Sequence, residues 1–216
     1  MNQDRFSQAL RFYLLTIKLK DLVRTGWKIW NVKRERLESV AEHIYGTCML
    51  AIALDSELDM KVDMQKVIMM CVLHELEEIR IGDLTHFDNV TDEEKSQMGR
   101  IAVEELLSGL VKGDDYLRLI EEFEAQETRE AMFIKMVDKL EASIQMKVYE
   151  EEGAAELYRS ENRQLFEDAR IKKRIETEGA KTISDLFIER NRNAYIFSEI
   201  NELADYLKGH ELGEVE

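Results

Sequence analysis

The chain holds four histidines, His43, His74, His86 and His210, so the chemistry open to each can be weighed singly. His43 stands in SVAEHIYG and His74 in VLHELEE, both within stretches whose apolar positions repeat at helical spacing. A histidine in such a setting is commonly a hydrogen-bonded core or boundary residue. His74, however, is followed directly by Glu75, then by Glu78 at i+4 and by Asp83 past a glycine. On a continuous helix i and i+4 share a face, so His74 and Glu78 converge while Glu75 flanks them about 100° round. Carboxyl groups collected at the end of an apolar helix repel one another unless a cation or a proton neutralises them. A further carboxylate, Asp138, interrupts the apolar helix face of MFIKMVDKLEASI. A buried Asp must be paired or metal-bound, and the segment leaves both open: a salt bridge to Lys135 or Lys139, or an ion. Glu77, Glu121 and Glu122 read as solvated. His86, on the loop after Asp83, either touches substrate or faces solvent, and His210 in the tail has no part in this scheme.

Imidazoles and carboxylates sharing an ion suit divalent Mn, Co, Fe, Ni or Zn better than Ca or Mg, which prefer all-oxygen sets. Such an ion draws the pKa of a bound water towards ~7 and neutralises phosphate oxygens. It also meets a charge problem. With 30 Lys+Arg against 45 Asp+Glu, the net charge is −15, which repels phosphate backbones and anionic bilayers. Neither a nucleic-acid polymer nor a membrane is therefore an expected partner, and a small anionic substrate needs a locally positive site, which a metal supplies. There is no Gly-rich phosphate loop, no G-x-S-x-G and no CxxC. Cys48 and Cys71 lie in GTCMLAIAL and VIMMCVLHE and read as buried thiols of a reducing compartment. With no basic-then-apolar leader and no run of ~18 apolar residues, the expectation is a cytoplasmic protein.

Helices must position these residues. Proline is absent and glycine numbers only 10, which disfavours tight turns and favours long helices. The periodicity predicts a helix over 5–24, then a polar, basic segment (28–36) with Trp27 and Trp30 at its start. Ser39 caps a helix from Val40 to Leu58, and Asp63 caps the next, whose VIMMCVL core is apolar all round and which runs on to a stop at Gly82. Thr91 with Glu94 forms a capping box for a helix from Asp92 to Leu107. Asp114 or Asp115 caps a helix to Gln126, Thr128 starts a long one through Tyr149, and helices over 155–177 and 180–208 follow. Trp30, Tyr45 and the methionines at 69, 70, 132, 136 and 146 read as packing residues. The fold expectation is all-α, a helical bundle (residues 1–152) with a C-terminal helical pair (153–216). The apolar stripe over 183–207 packs on the same domain or on a second copy, which would make a homodimer.

The order His43, His74-Glu75, Asp138 resembles the HD-domain metal-dependent phosphohydrolase superfamily. ESVAEH around His43, HELEEIRIGD around His74, VDKLEA around Asp138 and RTGW at Arg24 to Trp27 resemble its 5′-deoxynucleotidase-like branch. The resemblance covers about residues 5–150. It implies that His43, His74, Glu75 and Asp138 ligate one divalent metal and that Glu78 is the acid/base or water-orienting carboxylate. It further places Asp83 as a second carboxylate at the substrate and Trp27 near the nucleotide. Two departures stand out. The family's second ligand pair is normally His-Asp, here His-Glu, and about two extra residues separate Trp27 from ESVAEH, so the phosphate-binding Arg is open among Arg24, Arg34 and Arg36. The implied activity is a phosphomonoesterase acting on a small nucleotide, a (deoxy)nucleoside 5′-monophosphate. Its competitors are a degenerate HD domain that binds a nucleotide or partner without turnover, and a hydrolase of another nucleotide phosphoester.

Overall fold

The computed structural model describes residues 2–85 and 87–213; His86 lies outside the described residues. Among the described residues the chain is helical, with one isolated antiparallel bridge, Val23 to Ser39, in place of any sheet. No helix of these residues is long and apolar enough to cross a membrane.

Helix α1 (Asn2–Thr16) tightens into a 3-10 turn (Ile17–Lys20), so the expected helix over 5–24 ends early. A short helix α2 (Thr25–Ile29) stands where an irregular segment was expected to begin, and buries Trp27. The next two starts follow their caps. Ser39 and Glu42 close a reciprocal capping box on α3 (Val40–Leu58), and the Asp63 carboxylate accepts from the amides of Gln65 and Lys66 to open α4 (Met64–Leu73).

Helix α4 does not run on to Gly82. It stops at Leu73, and α5 (Glu78–Ile81) resumes after a turn with i to i+3 bonds, Leu76 N to Leu73 O and Glu78 N to Glu75 O, both 3.2 Å. The reason is local. His74 Nδ1 lies 2.6 Å from the carbonyl of Cys71, the acceptor an unbroken helix would offer to the amide of Glu75. A side chain that takes a backbone acceptor competes with the helix ladder. Nor is α4 buried all round: Val67, Met70 and Cys71 are buried, but Met69 is 38% and Val72 46% exposed, because neighbours cover one face only.

Thr91 and Glu94 cap α6 (Asp92–Leu107) as expected. Helix α7 (Gly113–Ala125) begins ahead of Asp114, with Lys112 at the cap position and no side-chain cap. A Cβ at Gly113 would lie 2.6 Å from the carbonyl oxygen of Leu107, so only glycine fits there. The long helix α8 (Arg129–Glu151) is as read. Beyond it, the expected pair of long helices is broken up. A 3-10 stretch (Ser160–Glu167) and α9 (Ala169–Glu176) replace the first; α10 (Ile183–Asn191), a 3-10 turn and α11 (Ser198–Gly209) replace the second. The second break admits Tyr195 to the interior at 2% exposure, and Asp168 starts α9 by accepting from the Arg170 amide.

The contacts divide the chain into two compact units, one of Met1–Gly26 with Glu38–Ile134 and one of Trp27–Leu37 with Lys135–Glu216. In the first, Leu73 and Leu76 pack with Val103, Leu106, Leu107 and Ile120. That core grips the turn carrying His74 and Glu75 from both ends. In the second, Trp27 meets Tyr149 edge-on at 5.4 Å and stacks on Phe187 at 6.2 Å. Of the stripe Ile183, Phe187, Ala194, Phe197, Ile200, Leu203 and Leu207, the residues Ile183, Ile200 and Leu207 are buried within the single chain and the others half-buried.

Gly82 ends α5 at φ 76°, ψ 170°, a region essentially closed to L side chains, and so turns Asp83 back. Nothing lies within 4 Å of where its Cβ would sit, so the cost of Gly82→Ala is backbone strain alone. We expect it to lower unfolding stability by about 1–3 kcal/mol in urea titration; an unchanged midpoint would show that the backbone relaxes freely there.

Candidate metal centre

His43 lies in the first turn of α3, wholly buried, with its carbonyl accepting from Thr47 Oγ1 at 2.9 Å. The capping box one turn earlier sets where that helix begins, and so where His43 points. His74 stands at the C-cap of α4, 3% exposed, with the ring of Phe123 set edge-on at 5.4 Å. A carbonyl only accepts, so the 2.6 Å contact with Cys71 O places the proton of His74 on Nδ1. That leaves Nε2 with its lone pair, the form that ligates a metal.

Both histidines present Nε2 to the same atom. Glu75 Oε1 is 3.3 Å from Nε2 of His74 and 3.7 Å from Nε2 of His43, and the two rings stand 5.8 Å apart. Two donors about 2.1 Å from one ion, at roughly 90–110° to each other, are separated by about 3.0–3.4 Å, close to these spacings. Asp138, on α8, is 3% exposed and carries an ion pair from Lys139 Nζ at 3.0 Å, the salt bridge that the segment left open. Within the first unit, His43, His74 and Glu75 each offer one donor atom within 4.8 Å of the others. The donor chemistry therefore fits a divalent ion of the Mn, Co, Fe, Ni or Zn type.

Glu78 does not share a helix face with His74, because the turn at 74–77 intervenes, yet it comes to rest beside Glu75. It is 6% exposed, and its Oε2 is buried with no hydrogen-bond partner among the described residues. Burial first, then the Glu75 and Asp83 carboxylates, push its carboxyl up to about 11, against the opposing pull of Arg24. A cation beside Glu75 would offset the like-charge part of that rise. Asp83 Oδ2 accepts from the Thr25 amide at 2.6 Å, and the Arg24 amide donates to Glu38 O at 3.1 Å. The Arg24–Thr25 loop is thus tied at both residues. Glu77, read as solvated, is instead half-buried with its side chain against Gly99, and burial and Glu75 raise its carboxyl to about 7.

The other expected substrate contacts are placed differently. Trp27, expected near the nucleotide, is 1% exposed, set edge-on to Tyr149 and stacked on Phe187. Arg36 is exposed. Arg34 pairs with Glu152 at 3.3 Å and lies over the Tyr149 ring. Trp30 packs as expected, whereas Tyr45 is 68% exposed. Sequence reasoning missed Glu38, which is buried with a ligand-type atom within 4.8 Å of His43. A single Glu just ahead of a helix cap carries no periodic signal that would separate it from a surface residue.

Glutamate is one methylene longer than aspartate, and Glu75 reaches both imidazoles through the tightened turn. Glu75→Ala should weaken metal affinity at least about 10-fold, since even groups behind the ligands cost 10–100-fold. Glu75→Asp should keep its metal. Competition with a fluorescent chelator measures both, and an alanine variant that binds as tightly as the parent would remove Glu75 from the ligand set.

With this geometry in view, the chain can be set beside known proteins. The family model described as HD domain matches residues 16–183. The 5′-deoxynucleotidase HDDC2 of Dictyostelium discoideum is 38% identical over 154 residues, covering 68% of this chain and 80% of that protein. The 5′-deoxynucleotidase HDDC2 of Bos taurus is 31% identical over 187 residues, covering 85% and 86%. A crystal structure from Pyrococcus horikoshii matches with a TM-score of 0.67 at 20% identity over 93% of this chain and 98% of that one, a likeness of fold.

Proposed function

This chain belongs to the HD domain family, and on that premise we propose that it is a metal-dependent phosphomonoesterase acting on deoxyribonucleoside 5′-monophosphates. The observation that carries the reading is the convergence of two buried imidazoles on Glu75 Oε1, at 3.3 and 3.7 Å, beside the buried Glu78. The substrate class follows the relatives named 5′-deoxynucleotidase. In this reading His43, His74, Glu75 and Asp138 hold one divalent ion. When bound, the ion supplies Lewis acidity, neutralising phosphate oxygens and making water a competent nucleophile near neutral pH.

The remaining work falls to the chain's own side chains. Arg24 is the phosphate-binding residue: its electrostatic reach includes Glu78, whereas Arg34 is engaged with Glu152 and Tyr149. A guanidinium grips two phosphate oxygens at once, fixing the phosphorus in line with the attacking water. Asp83 has two tasks. Through the Thr25 amide it holds the Arg24 loop in place, and its other oxygen accepts from a substrate hydroxyl. Glu78, with Oε2 unpartnered, exchanges a proton with the attacking water or with the departing 5′ oxygen. Trp27, closed in by Tyr149 and Phe187, stacks no base. The two cysteines, which form no disulfide, suit a reducing compartment such as the cytoplasm.

Purified protein should carry about one transition-metal ion per chain, and a nucleotide panel read by phosphate release should respond to deoxyribonucleoside 5′-monophosphates. Elemental analysis well below one metal, with a silent panel after Mn²⁺ or Co²⁺ is added, defeats the reading. A panel that answers only to cyclic or pyrophosphorylated nucleotides redirects it to another phosphoester.

Glu78→Gln should keep its metal while kcat falls by roughly 10²–10⁴-fold, the range for acid–base groups; near-native kcat would take Glu78 out of the chemistry. Arg24→Ala should raise KM for the monophosphate and leave chelator-measured metal affinity unchanged. A variant whose KM stays put would return the phosphate-binding role to Arg36.

A further inference from the structure

Cys48 and Cys71 take no part in the chemistry above, yet their sulfurs meet 3.0 Å apart, one from α3 and one from α4. These are the two helices that carry the histidines. Cys71 is fully buried, and its sulfur also approaches the Ile44 carbonyl at 3.7 Å, whereas Cys48 is half-buried and reachable from solvent. The pair is coupled to the centre by covalent proximity. Cys71 precedes His74 by one helical turn, and its own carbonyl holds His74 Nδ1 at 2.6 Å. The chain has only these 2 cysteines, so no other thiol competes for either.

We propose that Cys48 and Cys71 form a reversible two-electron redox site, open to peroxides, whose oxidation weakens the metal centre through His74. The Cys48 thiolate attacks hydrogen peroxide; the O–O bond breaks, hydroxide leaves, and Cys48 becomes a sulfenic acid. Cys71 sulfur then attacks that sulfur; the S–O bond breaks, the Cys71 proton leaves with the oxygen as water, and the S–S bond forms. Two thiols lose two electrons, and one peroxide becomes two waters. A dithiol reductant reverses the step by exchange. A bonded pair sits at about 2.03–2.05 Å, so the sulfurs must close by roughly 1 Å from contact. Cys71 lies in the last turn of α4, so the shift is passed to its carbonyl and to the ring that carbonyl holds. This coupling rests on the reading of His74 as a ligand; formation of the disulfide does not.

The test uses the metal-loaded full chain, exposed to graded hydrogen peroxide, then denatured, alkylated with iodoacetamide and weighed intact. Both alkylation sites should vanish together, with the mass lowered by two hydrogens and both restored by dithiothreitol. A peptide joining Cys48 to Cys71 should appear on digestion. Chelator competition on the oxidised chain should show metal held at least about 10-fold more weakly, and Cys48→Ser or Cys71→Ser should abolish both the cross-link and the peroxide response. Two thiols still alkylatable, sulfinic acid at Cys48 without a cross-link, or a Cys48–Cys48 bond between chains each overturn the proposal. A cross-link with unchanged metal affinity overturns the coupling. A chain that cross-links but never loads metal upholds the redox pair and places the failure on the metal reading.

Discussion

The hydrogen bond from His74 Nδ1 to the Cys71 carbonyl does three things that the rest of the centre depends on. It takes the acceptor that would have carried α4 onward, so the chain turns and Glu75 swings towards the imidazoles instead of continuing a helix face. It settles the tautomer, leaving Nε2 as a lone pair aimed at Glu75 Oε1. It also stiffens the ring, with Phe123 against its edge, so that the donor direction is fixed before any ion arrives. The surrounding core serves this one contact. Leu73 and Leu76 flank the turn and are locked among Val103, Leu106, Leu107 and Ile120, so the break in the helix is held by packing on both sides.

That arrangement has a cost that the fold alone does not recover. Glu75, Glu78 and Asp83 are drawn together, Glu78 buried and the other two half-buried. The consequence is visible in Glu78, pushed up to about 11 by burial and its like-charged neighbours, against the opposing pull of Arg24. A protein with a net charge of −15 has a poor general field for binding an anion. The local solution is to concentrate negative side chains where a divalent ion reverses the sign, with one guanidinium beside them. The acidic surface and the anion-binding centre are therefore compatible: the first sets the distant field, the second the field at contact range.

Much of this was legible from residue types. Ser39–Glu42 and Thr91–Glu94 are reciprocal caps whose chemistry is complete within four residues, and both helices begin where those residues say. Glu75 and Asp138 stood out because carboxylates do not interrupt apolar helices without a partner, whereas His43 and the four as one ligand set came only from the resemblance to the HD-domain superfamily. What could not be read depends on tertiary contact. The stop at Leu73 needs a ring-to-carbonyl bond that no helix signal encodes, and Gly82, which looked like the end of one long helix, ends a separate turn of helix. Trp27 has the composition of a stacking platform and the surroundings of a core residue, a difference made by Tyr149 and Phe187 from far along the chain. The helices expected over 155–177 and 180–208 have the right polarity pattern but break where Asp168 caps anew and Tyr195 turns inward.

The glutamate at position 75, where the resemblance implies an aspartate, ties these threads together. On an unbroken α-helix a residue directly after His74 projects about 100° away from it, and a longer side chain there would overshoot or curl. Here the i to i+3 bonds at Leu76 and Glu78 wind the turn more tightly than an α-helix, which changes both the angle and the rise between the two side chains. Side-chain length and backbone pitch are therefore not independent choices. In this turn Glu75 Oε1 lies 3.3 Å from one imidazole nitrogen and 3.7 Å from the other. A ligand set is a set of atoms in space, and the same set can be reached by a different residue when the segment that carries it is wound differently.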